Sequence, residues 1–173
     1  MAKVDSSVCL AKEYPNTSDI VKSVMNYQVF FNRDVIKAQN MDFDKIKQIV
    51  VNSLKEDSCV LYACDMEKTM TESIPEDVKF RIINGYNRER SGDVVVVLKP
   101  NYYAHGMKGT DHGAWNAYDT HIPLVFMGWG IKHGATTKQT FMTDIAPTVA
   151  ALLHVQAPNG CIGKPIFGNI VNQ

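Results

Sequence analysis

The sequence predicts an α/β fold that carries a small α+β subdomain. Residues 93–98, Asp-Val-Val-Val-Val-Leu, form a nearly continuous β-branched run. Such a run is typical of a strand with apolar neighbours on both faces, as in a sheet covered by helices. Residues 43–54 repeat apolar side chains every three or four positions and predict an amphipathic helix.

The first 18 residues predict an extended arm, because they are polar and contain Pro15 and Asn16. They also lack the apolar stretch of a secretory signal. We therefore expect either a cytosolic protein or a piece of a longer precursor.

Residues 19–88 predict the α+β subdomain. Two β-rich runs within residues 26–38 flank Asn32-Arg33-Asp34 and indicate a hairpin. Asp42 is the expected N-cap of the amphipathic helix, whose apolar face carries Phe43, Ile46, Val50 and Leu54. A buried strand at 58–63 follows, and then one or two short helices between 67 and 88, interrupted at Pro75.

Residues 89–173 predict part of a larger core. The strand at 93–98 leads into a long irregular loop, 101–120, and a second strand, 121–130. Thr143 is the expected cap of a helix whose buried face carries Ile145, Val149, Leu152 and Leu153.

Composition excludes several classes of protein. Lys+Arg and Asp+Glu both number 18, so the net charge is zero, and nothing indicates nucleic-acid or membrane binding. No apolar run approaches the roughly 20 residues of a membrane span. The four cysteines lack metal-ligand spacing, which favours free buried thiols over the alternative of a disulfide.

The loop at 101–120 carries the chemistry-bearing side chains. Potential metal ligands cluster in it and at its far edge: His105, Asp111, His112, Asp119 and His121. His112 is the strongest candidate, because it stands in Gly109-Thr-Asp-His-Gly113, where glycines allow the backbone a close approach to an ion.

Four motifs follow one another between residues 85 and 167. After Gly109–Gly113 come Ile122-Pro-Leu-Val-Phe-Met-Gly-Trp-Gly130, Thr143-Asp-Ile-Ala-Pro-Thr148, and Asn159-Gly with Gly163-Lys-Pro165. This order resembles the C-terminal end of the alkaline phosphatase superfamily, closest to bacterial alkaline phosphatases of the phosphodiesterase/nucleotide-pyrophosphatase-like branch. The resemblance implies a three-layer αβα core, of which this chain holds the C-terminal portion, with residues 19–88 as an inserted subdomain.

The resemblance also implies a site with two zinc ions. In the family that the sequence resembles, one zinc ion is bound by an Asp-x-x-x-His pair and by a later histidine in a His-Gly motif. His112 matches this later histidine. Asp111 is a weaker candidate ligand. It would bind metal in the alternative in which Asp111-His112 matches the Asp-His pair that binds the second zinc. His121 is interpreted as structural.

Most of that site is missing from the sequence. No aspartate is followed by a histidine four residues later, and no early strand ends in Asp before a Thr or Ser nucleophile. One histidine cannot hold zinc, because catalytic sites need about three protein ligands. We therefore expect no catalytic residue in this chain, an incomplete metal site, and no activity of the fragment alone.

The function that we expect is that of a phosphate-monoester hydrolase. The alternatives are a phosphodiesterase or nucleotide pyrophosphatase, a sulfatase or a phosphomutase of the same superfamily, or a metal-free structural or binding module. Trp115 and Tyr118 are candidates for lining the substrate entrance, with ordinary packing as the alternative. The expected partners are a phosphate ester, the remaining N-terminal part of the same protein, or a second copy, and the resemblance implies a periplasmic or secreted enzyme.

Overall fold

The computed structural model describes residues 19–102, 112–113, 115–128 and 130–166. The chain divides into two compact units, Met1–His121 and Ile122–Gln173. The predicted arm, residues 1–18, lies outside the described residues.

A four-stranded antiparallel sheet organises the first unit. Its strands are β1 (Val21–Met25), β2 (Gln28–Phe31), β3 (Val60–Asp65) and β4 (Val94–Leu98). Their spatial order is β1-β2-β4-β3, and all three pairings are antiparallel. Because β4 lies between β2 and β3, its backbone has partners on both sides.

The described residues of the first unit also form five helices. They are α1 (Arg33–Ala38), α2 (Phe43–Glu56), a 3-10 helix (Met66–Thr71), α3 (Glu76–Gly85) and α4 (Ala117–Thr120). The Asp42 side chain accepts a hydrogen bond from Lys45 N–H and caps α2, as predicted. The two short helices between 67 and 88 are also confirmed, and Pro75 stands at the N-cap of α3.

The side chains of β4 alternate between two apolar clusters. Val94 and Val96 pack into the larger cluster, which includes the apolar face of α2. Val95 faces a smaller cluster, whose other buried members are Cys64, Met66 and Ile82. The four valines, residues 94–97, are at most 7% exposed. Each fully buried valine contributes about 1.5–3 kcal/mol, so this strand is a large part of the unit's stability.

The hairpin predicted around Asn32-Arg33-Asp34 is wrong. Its expected second strand, residues 35–38, lies in α1, and β2 pairs instead with β1. Asn26 and Tyr27 connect β1 to β2 with φ of 51° and 59°, in the left-handed region that asparagine tolerates better than most residues. Asn32 instead caps α1, and its Oδ1 accepts from Val35 N–H at 3.5 Å. The residue types that favour a turn also favour a helix N-cap, so the sequence pattern did not separate the two.

The strand predicted at 93–98 is central and buried, but it belongs to the sheet of the predicted subdomain. Its neighbours are β2 and β3, whereas the sequence placed the boundary between 88 and 89. The first compact unit accordingly extends to His121. An apolar β-branched run reports burial on both faces and carries no information about which strands lie beside it.

A buried lysine ties α2 to the end of β3. The Lys47 side chain is 3% exposed, and its Nζ lies 2.8 Å from Asp65 Oδ2 and 3.2 Å from Asp44 Oδ1. Burial alone would lower the pKa of Lys47, but the hydrogen bonds and charges of the two carboxylates outweigh it, and the pKa is raised. The ammonium also lies 4.9 Å from the centroid of the Phe43 ring, a cation–π distance.

In the second unit, two of the sequence motifs bind each other. The unit contains a 3-10 helix (Met142–Asp144) and α5 (Ile145–Leu152). Lys164 N–H donates to Asp144 Oδ1, and Ile166 N–H donates to the Thr148 hydroxyl, each at 2.9 Å. A Cβ at Gly163 would lie 2.0 Å from a backbone oxygen, so only glycine fits there. The Gly-Lys-Pro turn is therefore held against the start of α5.

The buried face of α5 is not the predicted one. The structure buries Pro147, Thr148 and Ala150. Val149 is 39% exposed and Leu153 is 64% exposed. The hydrogen bond from Ile166 N–H to the Thr148 hydroxyl orients the helix. Within the described residues of this unit, nothing buries the side that carries Val149 and Leu153.

The strand predicted at 121–130 does not form. Residues 121–128 carry no regular secondary structure, and position 129 lies outside the described residues. Val125 is 80% exposed and Met127 is 95% exposed. A strand needs the backbone groups of a neighbour, and the sheet found in the described part of the chain contains only β1 to β4.

The helices are short in both units. The longest that the structure describes is α2, with 14 residues. Among the described residues, no helix combines the length and the apolar character that a membrane crossing requires.

Cys59, Cys64 and Cys161 are free thiols, as the sequence favoured, but of these three only Cys64 is buried. Cys9 lies outside the described residues. Burial raises the pKa of the Cys64 thiol to about 11. This thiol therefore remains protonated and unreactive at neutral pH.

Replacing Lys47 with alanine should destabilise the chain by about 3 kcal/mol, because it leaves the Asp65 carboxylate buried without its cation. Urea denaturation followed by circular dichroism measures the change. Lys68→Ala is the matched control: Lys68 also contacts Asp44 and Asp65 but is 52% exposed, so its loss should cost less than about 1 kcal/mol. Equal losses for the two variants would contradict a structural role of the buried pair.

Candidate functional site

The His112 ring lies at the surface of the first unit. Its side chain is 87% exposed, and its Nδ1 is 2.7 Å from Asp119 Oδ1. The ring is therefore not packed into the apolar interior, which would have excluded it as a metal ligand. Because a carboxylate only accepts hydrogen bonds, the short contact indicates that Nδ1 carries the proton.

Asp119 binds the backbone as well as the ring. Its Oδ2 accepts a hydrogen bond from Gly113 N–H at 2.8 Å. The Asp119 side chain is only 12% exposed. One carboxylate thus holds both the side chain of His112 and the peptide group that follows it.

Gly113 adopts a backbone conformation that other residues avoid. Its φ is +136°, and a Cβ there would lie 3.3 Å from Tyr27 Cε2. The His-Gly segment therefore lies against the turn of the β1–β2 hairpin. The glycine that the sequence analysis attributed to a close approach to an ion also allows a close approach to a tyrosine ring.

The helix that carries Asp119 is anchored to the sheet. Asp119 N–H donates to Asn116 O at 2.9 Å, in the first turn of α4. Trp115, just before it, is half-buried and packs on the smaller apolar cluster beside β4. Arg81 Nη1 donates to the Trp115 carbonyl at 3.4 Å. Packing on β4 thereby positions α4.

Tyr118 connects α4 to Asn101, just past the end of β4. Its hydroxyl accepts hydrogen bonds from Asn101 N–H at 3.3 Å and from Asn116 Nδ2 at 3.2 Å. The ring is 64% exposed. Trp115 and Tyr118 both therefore have packing or hydrogen-bonding roles within the unit, and substrate lining by either one stays a prediction.

The other predicted ligands do not join His112 within the described structure. Asp111 and His105 lie outside the described residues, and His121 is exposed. No group of three or more His, Cys, Asp or Glu side chains that could hold a metal ion occurs in the part of the chain that the structure describes. Asp119, expected only as a potential ligand, is placed behind the ring instead.

Among the described residues, this arrangement fits a single ligand of a metal site. Metal-binding histidines almost always donate their second ring N–H to a carboxylate, a carbonyl or water, which orients the ring and fixes its tautomer. The contact between His112 and Asp119 has that form. The sequence did not predict this pairing, and its only signal is the presence of a carboxylate, Asp119, seven residues after His112.

Three curated proteins are similar to this chain in sequence. The chain is 46% identical over 156 residues to the alkaline phosphatase PafA of Elizabethkingia meningoseptica, covering 90% of this chain and 29% of PafA. It is 49% identical over 144 residues to the alkaline phosphatase PhoV of Synechococcus elongatus, covering 83% and 26%. A Myroides odoratus protein named calcium-transporting ATPase is 47% identical over 151 residues, covering 86% and 28%. No protein-family model matches the chain.

The fold matches as well. The crystal structure of wild-type PafA superposes with a TM-score of 0.88 at 43% identity, over 94% of this chain and 31% of the PafA chain. The predicted α/β fold class, with this chain as a C-terminal portion, is consistent with that match and is confirmed. The chain spans less than a third of the length of each relative.

Replacing Gly113 with alanine should cost about 1–3 kcal/mol of stability, because the backbone conformation is strained for any L-residue. The same change should displace His112, which thermal unfolding and the chemical shifts of its ring would report together. Gly85→Ala is the control, since Gly85 ends α3 with open space around it, and alanine there should be neutral or stabilising by up to about 1 kcal/mol. An unchanged melting temperature for Gly113→Ala would contradict the strain argument.

Proposed function

We propose that this chain is the C-terminal part of a zinc-dependent phosphate-monoester hydrolase of the alkaline phosphatase superfamily. The observation that carries the proposal is the similarity to PafA and PhoV, which extends over most of this chain in sequence and in fold. The motif order between residues 85 and 167, which resembles the same superfamily, is in agreement with it. Within that superfamily we propose the phosphodiesterase/nucleotide-pyrophosphatase-like branch, on the motif order alone.

In this proposal His112 supplies one protein ligand to one of the zinc ions. With Nδ1 engaged by Asp119, coordination would use Nε2 of the exposed ring. When bound, the zinc ions supply electrostatic stabilisation of the attacking and leaving oxygens of the phosphate ester. The contribution of this chain is to present an imidazole that the Asp119 carboxylate orients.

The nucleophile and the remaining ligands would belong to polypeptide outside this sequence. The sequence has no Asp-x-x-x-His pair and no Thr or Ser that follows an Asp-ended early strand. We therefore propose that the chain alone is inactive and binds zinc weakly. Asp111 is retained as a weaker candidate ligand, and Trp115 and Tyr118 as candidates for contact with substrate.

His112→Gln in the full-length parent should lower the hydrolysis of p-nitrophenyl phosphate by more than the ~10–100-fold that losing only the hydrogen-bonding partner of a ligand costs. Bound zinc, measured by elemental analysis, should fall in parallel. His133→Gln is the control, because His133 is exposed and lies in the second unit. Full activity of the His112 variant would remove this residue from the site.

The same assay separates the competing chemistries. The parent should hydrolyse p-nitrophenyl phosphate in preference to bis-p-nitrophenyl phosphate, p-nitrophenyl sulfate and ATP. Preference for the diester, the sulfate or ATP would replace the monoesterase with a diesterase, a sulfatase or an ATPase on the same fold. Loss of all four activities in a correctly folded, zinc-loaded parent would favour a structural or binding module.

Tight, stoichiometric binding of zinc to the 173-residue chain alone would contradict the proposal that its metal site is incomplete.

The second unit offers the surface through which the rest of the parent would bind. Its exposed large apolar side chains include Val125, Met127, Leu153 and Val155, the least exposed of them at 59%. A strand-forming segment without a neighbour and an uncovered apolar helix face are both typical of a sheet from which strands are missing. We propose that the N-terminal polypeptide of the same protein covers this surface, and that a second copy covers it when the chain is alone.

The isolated chain should therefore associate in solution, which light scattering measures. Met127→Lys in the second unit should reduce the association, whereas Leu61→Lys, a similarly apolar change on β3, should leave it unchanged. A monodisperse monomer at micromolar concentration would contradict the pairing.

The periplasmic or secreted location implied by the resemblance is tested by fractionating cells that express the parent.

A further inference from the structure

The position of Asp119 suggests a role beyond local folding. Both of its oxygens are used on the His-Gly segment, one at His112 Nδ1 and the other at Gly113 N–H. The carboxylate is nearly buried while the ring that it contacts is 87% exposed. A fixed charge therefore stands directly behind a surface imidazole.

Packing and hydrogen bonds support Asp119. Its helix, capped by Asn116, follows Trp115, which packs on the cluster that contains Val95 of β4. The Tyr118 hydroxyl ties the same helix to Asn101, just past the end of β4. Core packing on both sides of the loop therefore determines where the carboxylate stands.

We infer that Asp119 is a positioning residue that holds His112 as the Nδ1–H tautomer and directs Nε2 toward the metal. The inference rests on the proposed function for the identity of the metal, and the tautomer is a property of this chain alone. A neutral imidazole in solution exchanges its proton between the two nitrogens, and only the unprotonated one can bind a cation. A carboxylate at Nδ1 makes the binding tautomer dominant before metal arrives, and it restricts rotation of the ring.

Asp119→Asn is the sharpest test, because asparagine has the same shape. Its amide oxygen can still accept from Gly113 N–H, while its NH₂ group would donate to Nδ1 and favour the opposite tautomer. Nitrogen-15 spectra of the histidine rings of the 173-residue chain, recorded well above the ordinary imidazole pKa, report the tautomer of each ring. The ring of His112 is assigned by its loss in His112→Gln.

We expect the wild-type His112 to be predominantly Nδ1–H and the Asn variant to shift toward Nε2–H. Asp119→Glu, which keeps the carboxylate, should restore Nδ1–H at least in part. Asp57→Asn is the matched control, since Asp57 also accepts from a backbone N–H, that of Cys59, and should leave His112 unchanged. An unchanged His112 tautomer in a folded Asp119→Asn variant overturns the inference, and so does a wild-type ring that is already Nε2–H.

The metal is tested separately in the full-length parent. Calorimetric titration with zinc should give an affinity lowered about 10–100-fold by Asp119→Asn, with less loss for Asp119→Glu. A tautomer shift without any change in zinc affinity overturns the positioning role. A tautomer shift in a parent that binds no zinc in any form overturns the proposed function instead, and it leaves the control of the His112 tautomer by Asp119 established.

Discussion

The burial of β4 is the constraint on which the rest of the first unit depends. Its four valines have apolar neighbours on both faces, and its backbone pairs with a strand on each side. A segment with this composition is stable only inside a sheet that is covered on both faces. α2 covers one face, and the smaller cluster with Trp115 covers the other. Two residues of the chemistry-bearing loop are therefore placed by β4: Asn101 lies just past the end of this strand, and Trp115 packs on the smaller cluster that contains Val95.

The candidate site extends this rigidity outward by a short sequence of contacts. Trp115 and Tyr118 position α4, α4 presents Asp119, and Asp119 holds His112 together with Gly113. Each contact is ordinary in strength, and together they leave one exposed imidazole with a defined orientation. Pre-organisation of this kind matters for a metal ligand because orienting a free ring on binding would weaken affinity.

The second unit is built on a different principle. Hydrogen bonds from Lys164 and Ile166 hold the Gly-Lys-Pro turn to the start of α5. These backbone-directed contacts order the unit locally, but they leave Val125, Met127 and Leu153 uncovered. Such exposure is consistent with a chain that spans less than a third of its relatives. The placement of Gly163-Lys-Pro165 against the start of α5 is thus explained by local folding, whereas the apolar residues at 125, 127 and 153 have no cover within the described residues of this unit.

The sequence by itself determined the α/β class, α2 with its Asp42 cap, the burial of β4 and the candidacy of His112. Each of these follows from local chemistry: periodicity, capping geometry, β-branched composition and glycine flanks. Only the tertiary structure decided that the hairpin turns at Asn26-Tyr27, that β4 joins the sheet of β1 to β3, and that Asp119 lies behind His112. It also decided that residues 121–128 form no strand. These outcomes depend on partners distant along the chain or outside it, and the residues of a segment specify what it can bury or bind without specifying which neighbour is present.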